Sequence, residues 1–170
     1  NLISFPAEKI NRHIKNLNKT VATTELIARE LAKKLIGNIP IIYSTAKWQT
    51  ISKIWKINFN ENSKIPSFYN IFPELCHNEL VGFTQPLTKF TTIILKDNSD
   101  HLENQKRMLA FAEVMKKSAH PIIIDIPEGS IIEKIMQMLL LGSLTSYYLA
   151  LEYKINPAPV KMVETFKKLL

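Results

Sequence analysis

Apolar residues recur along this chain in two rhythms, one helical and one continuous. Behind Pro6, placed to start a helix, Ile10, Ile14, Leu17 and Val21 return at helical spacing. Leu26, Ile27, Leu31 and Leu35 continue a similar stripe to a stop at Gly37-Asn38. One long helix bent near residues 20–24 or two shorter ones both satisfy the pattern. Pro40–Thr45, Ser67–Ile71, Thr91–Lys96 and Pro121–Ile126 are short runs that read as strands. Between them, Trp48 to about Asn58 predicts a helix with Ile51, Ile54, Trp55 and Asn58 on one face. Pro73 opens a further helix, and Leu102–Lys117 predicts another with Leu102, Leu109, Ala112 and Met115 inward. Ser130 followed by Glu133 forms a capping box, and a last helix is expected from about Pro159 to the C-terminus.

Continuous apolar strands alternating with helices imply an α/β fold, a parallel sheet covered on both faces. In such sheets ligands gather at the carboxyl ends of the strands. The loops after Ser44, Ile71, Lys96 and Ile126 are therefore the expected walls of a site. Residues 135–151 carry no charge, yet they include Gln137, Ser143, Thr145, Ser146 and two tyrosines, and fall short of a bilayer span. They read as a core helix near a subunit contact, not a membrane segment.

At 170 residues, 46% of them hydrophobic, the chain has the length of one domain able to bury a single core. The net charge of +7 suits a phosphorylated ligand, nucleic acid or an acidic surface. Its lysines are scattered pairs, however, without a basic run or a DNA-binding motif, so no nucleic-acid partner is expected. Cys76 is the one cysteine, which excludes an intrachain disulfide and fits a reducing, cytoplasmic compartment. The start at Asn1, not Met, suggests a fragment or processed chain. Four glycines, none in dinucleotide-fold or Walker spacing, give no nucleotide signature, and no nucleophile elbow is present.

The chemistry concentrates in Asn60–Phe83, NENSKIPSFYNIFPELCHNELVGF. Glu61, Glu74, Glu79, Lys64 and His77 stand there among aromatic residues. A polar cluster in such surroundings fits a metal site, a salt-bridge network or acid–base catalysis. Glu74 and His77 share a helical face at i, i+3, but the pair occurs once and no further ligand set accompanies it. Glu61 can equally cap or pair with Lys64, and His77 can be a satisfied core or surface histidine.

The motifs NENxKxP and PELxHNExVG resemble the second half of the bifunctional phosphoglucose/phosphomannose isomerases, members of the sugar isomerase (SIS) fold group. The ending INPAPVxxVExxK resembles the same family's DPTPV-then-lysine close. The resemblance implies one SIS domain over residues 1–170, a three-layer α/β/α sandwich of flavodoxin-like topology. It implies a C-terminal domain of an aldose–ketose isomerase that interconverts glucose 6-phosphate, mannose 6-phosphate and fructose 6-phosphate through an enediol. By motif, Glu61 is the proton-transfer base, His77 assists ring opening in the partner subunit's site of a homodimer, and Lys167 contacts substrate oxygens. Lys168 competes with Lys167 for that role. Neither a metal nor another cofactor is implied. An N-terminal SIS domain, the main source of phosphate contacts, is missing, so the isolated chain is expected to have weak or no activity. Ser44 and Thr45 occupy the corresponding first-strand loop and are candidate substrate contacts. Cys76, Asn156 and Ala158 depart from the family's usual Asn, acidic residue and Thr. The rival readings are a sugar-phosphate-binding module without turnover, although no helix-turn-helix accompanies it, and a purely structural dimerisation domain.

Overall fold

The computed structural model describes residues 6–170. Helix α1 (Ala7–Leu35) leads into β1 (Ile39–Thr45), and a single 3-10 turn at Ala46–Trp48 opens α2 (Gln49–Glu61). β2 (Phe68–Phe72), α3 (Leu75–Gly82), β3 (Phe90–Lys96) and α4 (Leu102–Met115) follow. β4 (Ile122–Asp125), α5 (Ile131–Glu152) and α6 (Lys161–Lys167) complete the order. All strand pairs are parallel and the sheet runs β2-β1-β3-β4, with Ile41 opposite Phe68, Ile42 opposite Ile93 and Ile94 opposite Ile123.

Alternation along the strands divides the core in two. Ile42, Ile93 and Leu95 face α1, α2 and α5, packing with Leu31, Leu35, Trp55, Phe59 and Met138. Ile41, Tyr43 and Ile94 face α3 and α4, packing with Phe72, Leu75, Met108, Phe111 and Met115. This is the three-layer α/β/α sandwich expected from the resemblance. Tyr43, Phe72 and Phe111 meet edge to face at 5.3–6.1 Å between centroids, joining β1, β2 and α4.

α1 is one helix, without a break at residues 20–24, and ends where Gly37 adopts φ +75° and donates its N–H to Tyr153 Oη at 2.7 Å. Its buried face is His13, Thr24, Ala28, Leu31, Ala32 and Leu35, whereas Ile10, Ile14, Val21, Leu26 and Ile27 are exposed. Leu26 and Ile27 flank the buried stripe of Thr24, Ala28, Leu31 and Leu35, and for Ile10, Ile14 and Val21 the reason is length. Twenty-nine helical residues span about 43 Å against about 23 Å for a seven-residue strand, so the N-terminal half overruns the sheet. In α4 the inward set is Met108, Phe111, Ala112 and Met115, and Leu102 and Leu109 lie outward. Phe111 and Met108 offer more area to bury than Leu102 at the helix start, and they fix the helix's rotation. In α2, Phe59 is buried where Asn58 was expected to line the inward face. The Ser130–Glu133 capping box is present, and hydrogen bonds from Asn16, Ser130 and His13 hold Glu133 down to about 2.

α5 buries eight of its residues, as its uncharged run predicts, and packs against both α1 and α2. It packs directly on Trp55, whose Nε1 donates to Met138 O at 2.7 Å. A Cβ at Gly142 would sit 2.5 Å from Trp55 Cδ1 and closer still to Nε1. A glycine inside a helix costs about 1 kcal/mol relative to alanine. Here the missing side chain is what lets the indole lie on the helix backbone. Gly142→Ala is therefore expected to destabilise the chain by about 2 kcal/mol net, overpacking outweighing the gain in helix propensity. Urea unfolding followed by Trp fluorescence checks it, and a gain in stability contradicts the close packing.

Candidate active site

The turn between α2 and β2 holds the first motif. Asn60 Nδ2 donates to Ile65 O at 2.8 Å and closes the loop on itself. Asn62 Nδ2 reaches Ser146 Oγ at 2.9 Å and Ser63 Oγ reaches Ser146 O at 2.7 Å, fastening the loop to α5. Asn58 adds a longer contact to Ser143 Oγ at 3.2 Å. Glu61, between two tethered asparagines, is exposed, and among the described residues its carboxylate has neither a hydrogen bond nor an ion pair. Lys64 does not pair with that carboxylate. It donates to the backbone carbonyl of Glu61 and, at 2.9 Å, to that of Pro157.

The second motif lies on α3, across the sheet. His77 is exposed in the helix's first turns, and Leu75 is the one buried side chain of α3. Glu79 anchors the helix by accepting hydrogen bonds from Tyr43 Oη and Asn70 Nδ2. Burial, and then the Glu79 carboxylate, push the Tyr43 hydroxyl well above its ordinary range and keep it a donor. Glu74 receives a 3.4 Å contact from Asn78. Cys76 is half-buried, and burial pushes its thiol up. Glu61 and His77 thus lie on opposite faces of the sheet, with no hydrogen bond between them among the described residues.

They also lie toward opposite ends. α2 returns antiparallel to the strands, so Glu61 sits at the amino edge of the sheet, where Ser67 Oγ bonds Pro40 O at 2.9 Å. Sheet topology had pointed to the carboxyl edge instead. There the order reverses between β1 and β3, and an ion cluster built on Asp97 stands beside that switch point. Asp97, fully buried, accepts from Lys134 Nζ at 2.8 Å, Lys47 Nζ at 2.7 Å, Trp48 Nε1 at 3.0 Å and Ser99 N at 3.0 Å. Burial alone raises a carboxyl group, but these bonds, Lys134's foremost, outweigh it and hold Asp97 well below the usual carboxylate range. Asp97 in turn raises Lys134, which is itself buried.

Ser44 and Thr45, the expected substrate contacts of this loop, are buried and engaged inside the protein. Ser44 Oγ accepts from Ser52 Oγ at 2.7 Å, and Thr45 Oγ1 donates to Asp100 Oδ2 at 2.8 Å. Lys167 and Lys168 are exposed at the end of α6, a helix that buries none of its residues. Sequence reasoning missed the Asp97 cluster. Its one signal is a lysine, Lys134, set among apolar neighbours at the start of α5. Among the described residues no three His, Cys, Asp or Glu side chains group to hold a metal, and no helix is long and apolar enough to cross a membrane.

A sequence profile described as the bacterial phospho-glucose isomerase C-terminal SIS domain matches residues 25–170. The chain belongs to that family. Over 171 residues it is 29% identical to the bifunctional phosphoglucose/phosphomannose isomerase of Aquifex aeolicus (strain VF5), covering 99% of this chain and 53% of that protein. Over 149 residues it is 35% identical to the enzyme of the same name from Caldicellulosiruptor bescii, covering 85% and 44%. The chain spans about half the length of the curated relatives it matches. A glucose-6-phosphate isomerase like protein from Thermus thermophilus shares the fold, with a TM-score of 0.66 at 19% identity over 84% of this chain and 47% of that one.

Within this SIS domain the Asp97 cluster makes a testable contribution. Asp97 has its folded pKa below the unfolded value, so its stabilisation is present above about pH 4 and is lost as pH falls below that. Lys134→Met removes one partner of a buried pair and is expected to cost about 3 kcal/mol at pH 7. It also leaves Asp97 less depressed, so the variant's stability should fall less steeply than the parent's between about pH 5 and pH 3. Thermal unfolding at pH 7 measures the first effect, and the same measurement between about pH 5 and pH 3 the second.

Proposed function

We propose that residues 1–170 form the C-terminal SIS domain of a two-domain aldose–ketose isomerase, converting glucose 6-phosphate and mannose 6-phosphate to fructose 6-phosphate. Family membership and the half-length match to enzymes bearing both activities in their names support this reading. The observation that carries it is Glu61, left without a partner while both neighbouring asparagines are tied down. A carboxylate on a tethered stretch of backbone, with its oxygens free, is arranged to take a proton from C2 of an open-chain sugar and return it to C1, through a cis-enediol. The surfaces that desolvate it belong to the rest of the protein, which also grips the phosphate. Ser44 and Thr45 then support the fold and do not touch the ligand.

His77, on the far face, serves ring opening in the site of a second subunit of a homodimer, where an imidazole moves a proton near neutral pH. Lys167 places positive charge beside the oxygens that become negative in the enediolate. The route needs no metal or other cofactor, and a reducing cytoplasm suits the single thiol.

In the full-length protein, Glu61→Gln is expected to lower isomerisation of both sugars about a thousandfold, with turnover unchanged by chelator. Near-normal turnover in that variant removes Glu61 as the base. Substrate binding without turnover by the unmutated protein indicates a non-catalytic module. Mixing Glu61→Gln with His77→Ala subunits tests the shared site. Each mixed dimer restores one complete site, so about a quarter of normal activity should return. No recovery places both groups in one subunit.

A further inference from the structure

We propose that Lys64 is a positioning residue, the staple that seats the C-terminal arm, and with it Lys167, beside the end of α2 that carries Glu61. Its place in the catalytic cycle rests on the function proposed above, but the staple itself does not. Lys64 adopts φ +57°, in the left-handed region that disfavours any residue with a Cβ. The local sequence leaves little alternative. Pro66 biases Ile65 toward extended backbone, so the reversal out of α2 falls on the residues just before it. That turn directs the side chain back across the loop, where its ammonium meets two carbonyls. One belongs to Glu61, the final residue of α2, whose C=O has no partner within the helix. A cation is favourable at that end of the helix dipole.

The other carbonyl is that of Pro157, 93 residues away in sequence. Residues 156–160 contain two prolines and make no strand, and Ala158 N bonds only to Asn156 Oδ1 at 3.0 Å. From Pro157 onward, the remaining hydrogen bonds among the described residues are local ones within the arm. α6 buries no side chain. The Lys64–Pro157 bond is thus the one long-range hydrogen bond, among the described residues, that fixes where the arm begins. It starts from the loop that directly follows Glu61.

The staple is tested on the 170-residue chain, which has its own two-sided core, by the rate of trypsin cleavage after Lys161 in α6. Lys64→Met keeps the aliphatic stem and loses the donors. Cleavage should quicken about tenfold with little change in unfolding temperature. Lys64→Arg, which restores donors, should return the rate toward that of the parent. Hydrogen exchange at the amides of residues 163–168 gives a second readout and should follow the same order. Unchanged cleavage and exchange in Lys64→Met overturn the proposal. In the full-length protein, Lys64→Met should lower kcat with little change in KM, and add almost nothing on top of Lys167→Met. A loosened arm with normal kcat keeps the staple and removes Lys167 from the chemistry. Additive losses in the double variant overturn the coupling of Lys64 to Lys167.

Discussion

The contact between Trp55 and the backbone of α5 at Gly142 sets the geometry of everything on that side of the sheet. With the indole Cδ1 2.5 Å from where a Cβ would stand, α2 is drawn against α5 and its rotation is fixed. The same stripe of α5 then continues as Ser143 and Ser146, small polar residues that receive Asn58, Asn62 and Ser63 one after another. One glycine and two serines therefore convert a hydrophobic helix contact into a polar grip on the end of α2. Interiors packed to crystal-like density transmit such placements over several residues. Glu61 inherits its position from this series and needs no contact of its own.

The two ends of the sheet are treated oppositely. At the carboxyl edge, Asp97 gathers two lysine ammoniums, an indole N–H and a backbone N–H beside the switch between β1 and β3. Buried charges of this kind contribute little net stability against a well-packed apolar replacement, but removing one partner is expensive, so they pin the register of the elements that supply them. Here those elements are the β1–α2 turn, the β3–α4 loop and the start of α5. At the amino edge Asn60, Asn62, Ser63 and Ser67 bond inward and the Glu61 carboxylate is left facing outward, beside Lys64.

The layered architecture was legible from short apolar runs between helical stripes, because a parallel sheet buried on both faces writes itself as such runs. Helix rotation was less legible. Ile10, Ile14 and Val21 have flawless helical spacing and still lie outside the core, since periodicity says nothing of how far a helix overruns its sheet. Leu102 and Leu109 lost their inward place to Met108 and Phe111 for a related reason, competition in buried area that no local pattern records. Glu61 and His77 were picked out by motif, and Glu79 by its company. Where each lies relative to the others depends on contacts such as Asn62 to Ser146, 84 residues apart. The same holds for Asp97 with Lys134.

The separation of Glu61 from His77 follows from topology. α2 and α3 cover opposite faces of one sheet, and each helix layer stands about 10 Å from the strands, so about 20 Å divides the two layers. Proton transfer demands contact within about 3 Å, directly or through one water. No rotamer change in exposed side chains closes such a gap, and moving either helix across the sheet would dismantle one of the two cores. A sugar on which both groups act, as in the function proposed above, would therefore have to lie between two copies of the chain. A two-fold axis can do this only through a self-complementary patch that reaches both groups, and it then completes two sites at once. In that arrangement each copy would supply Glu61 from one face and His77 from the other, both outward-facing on a well-packed scaffold.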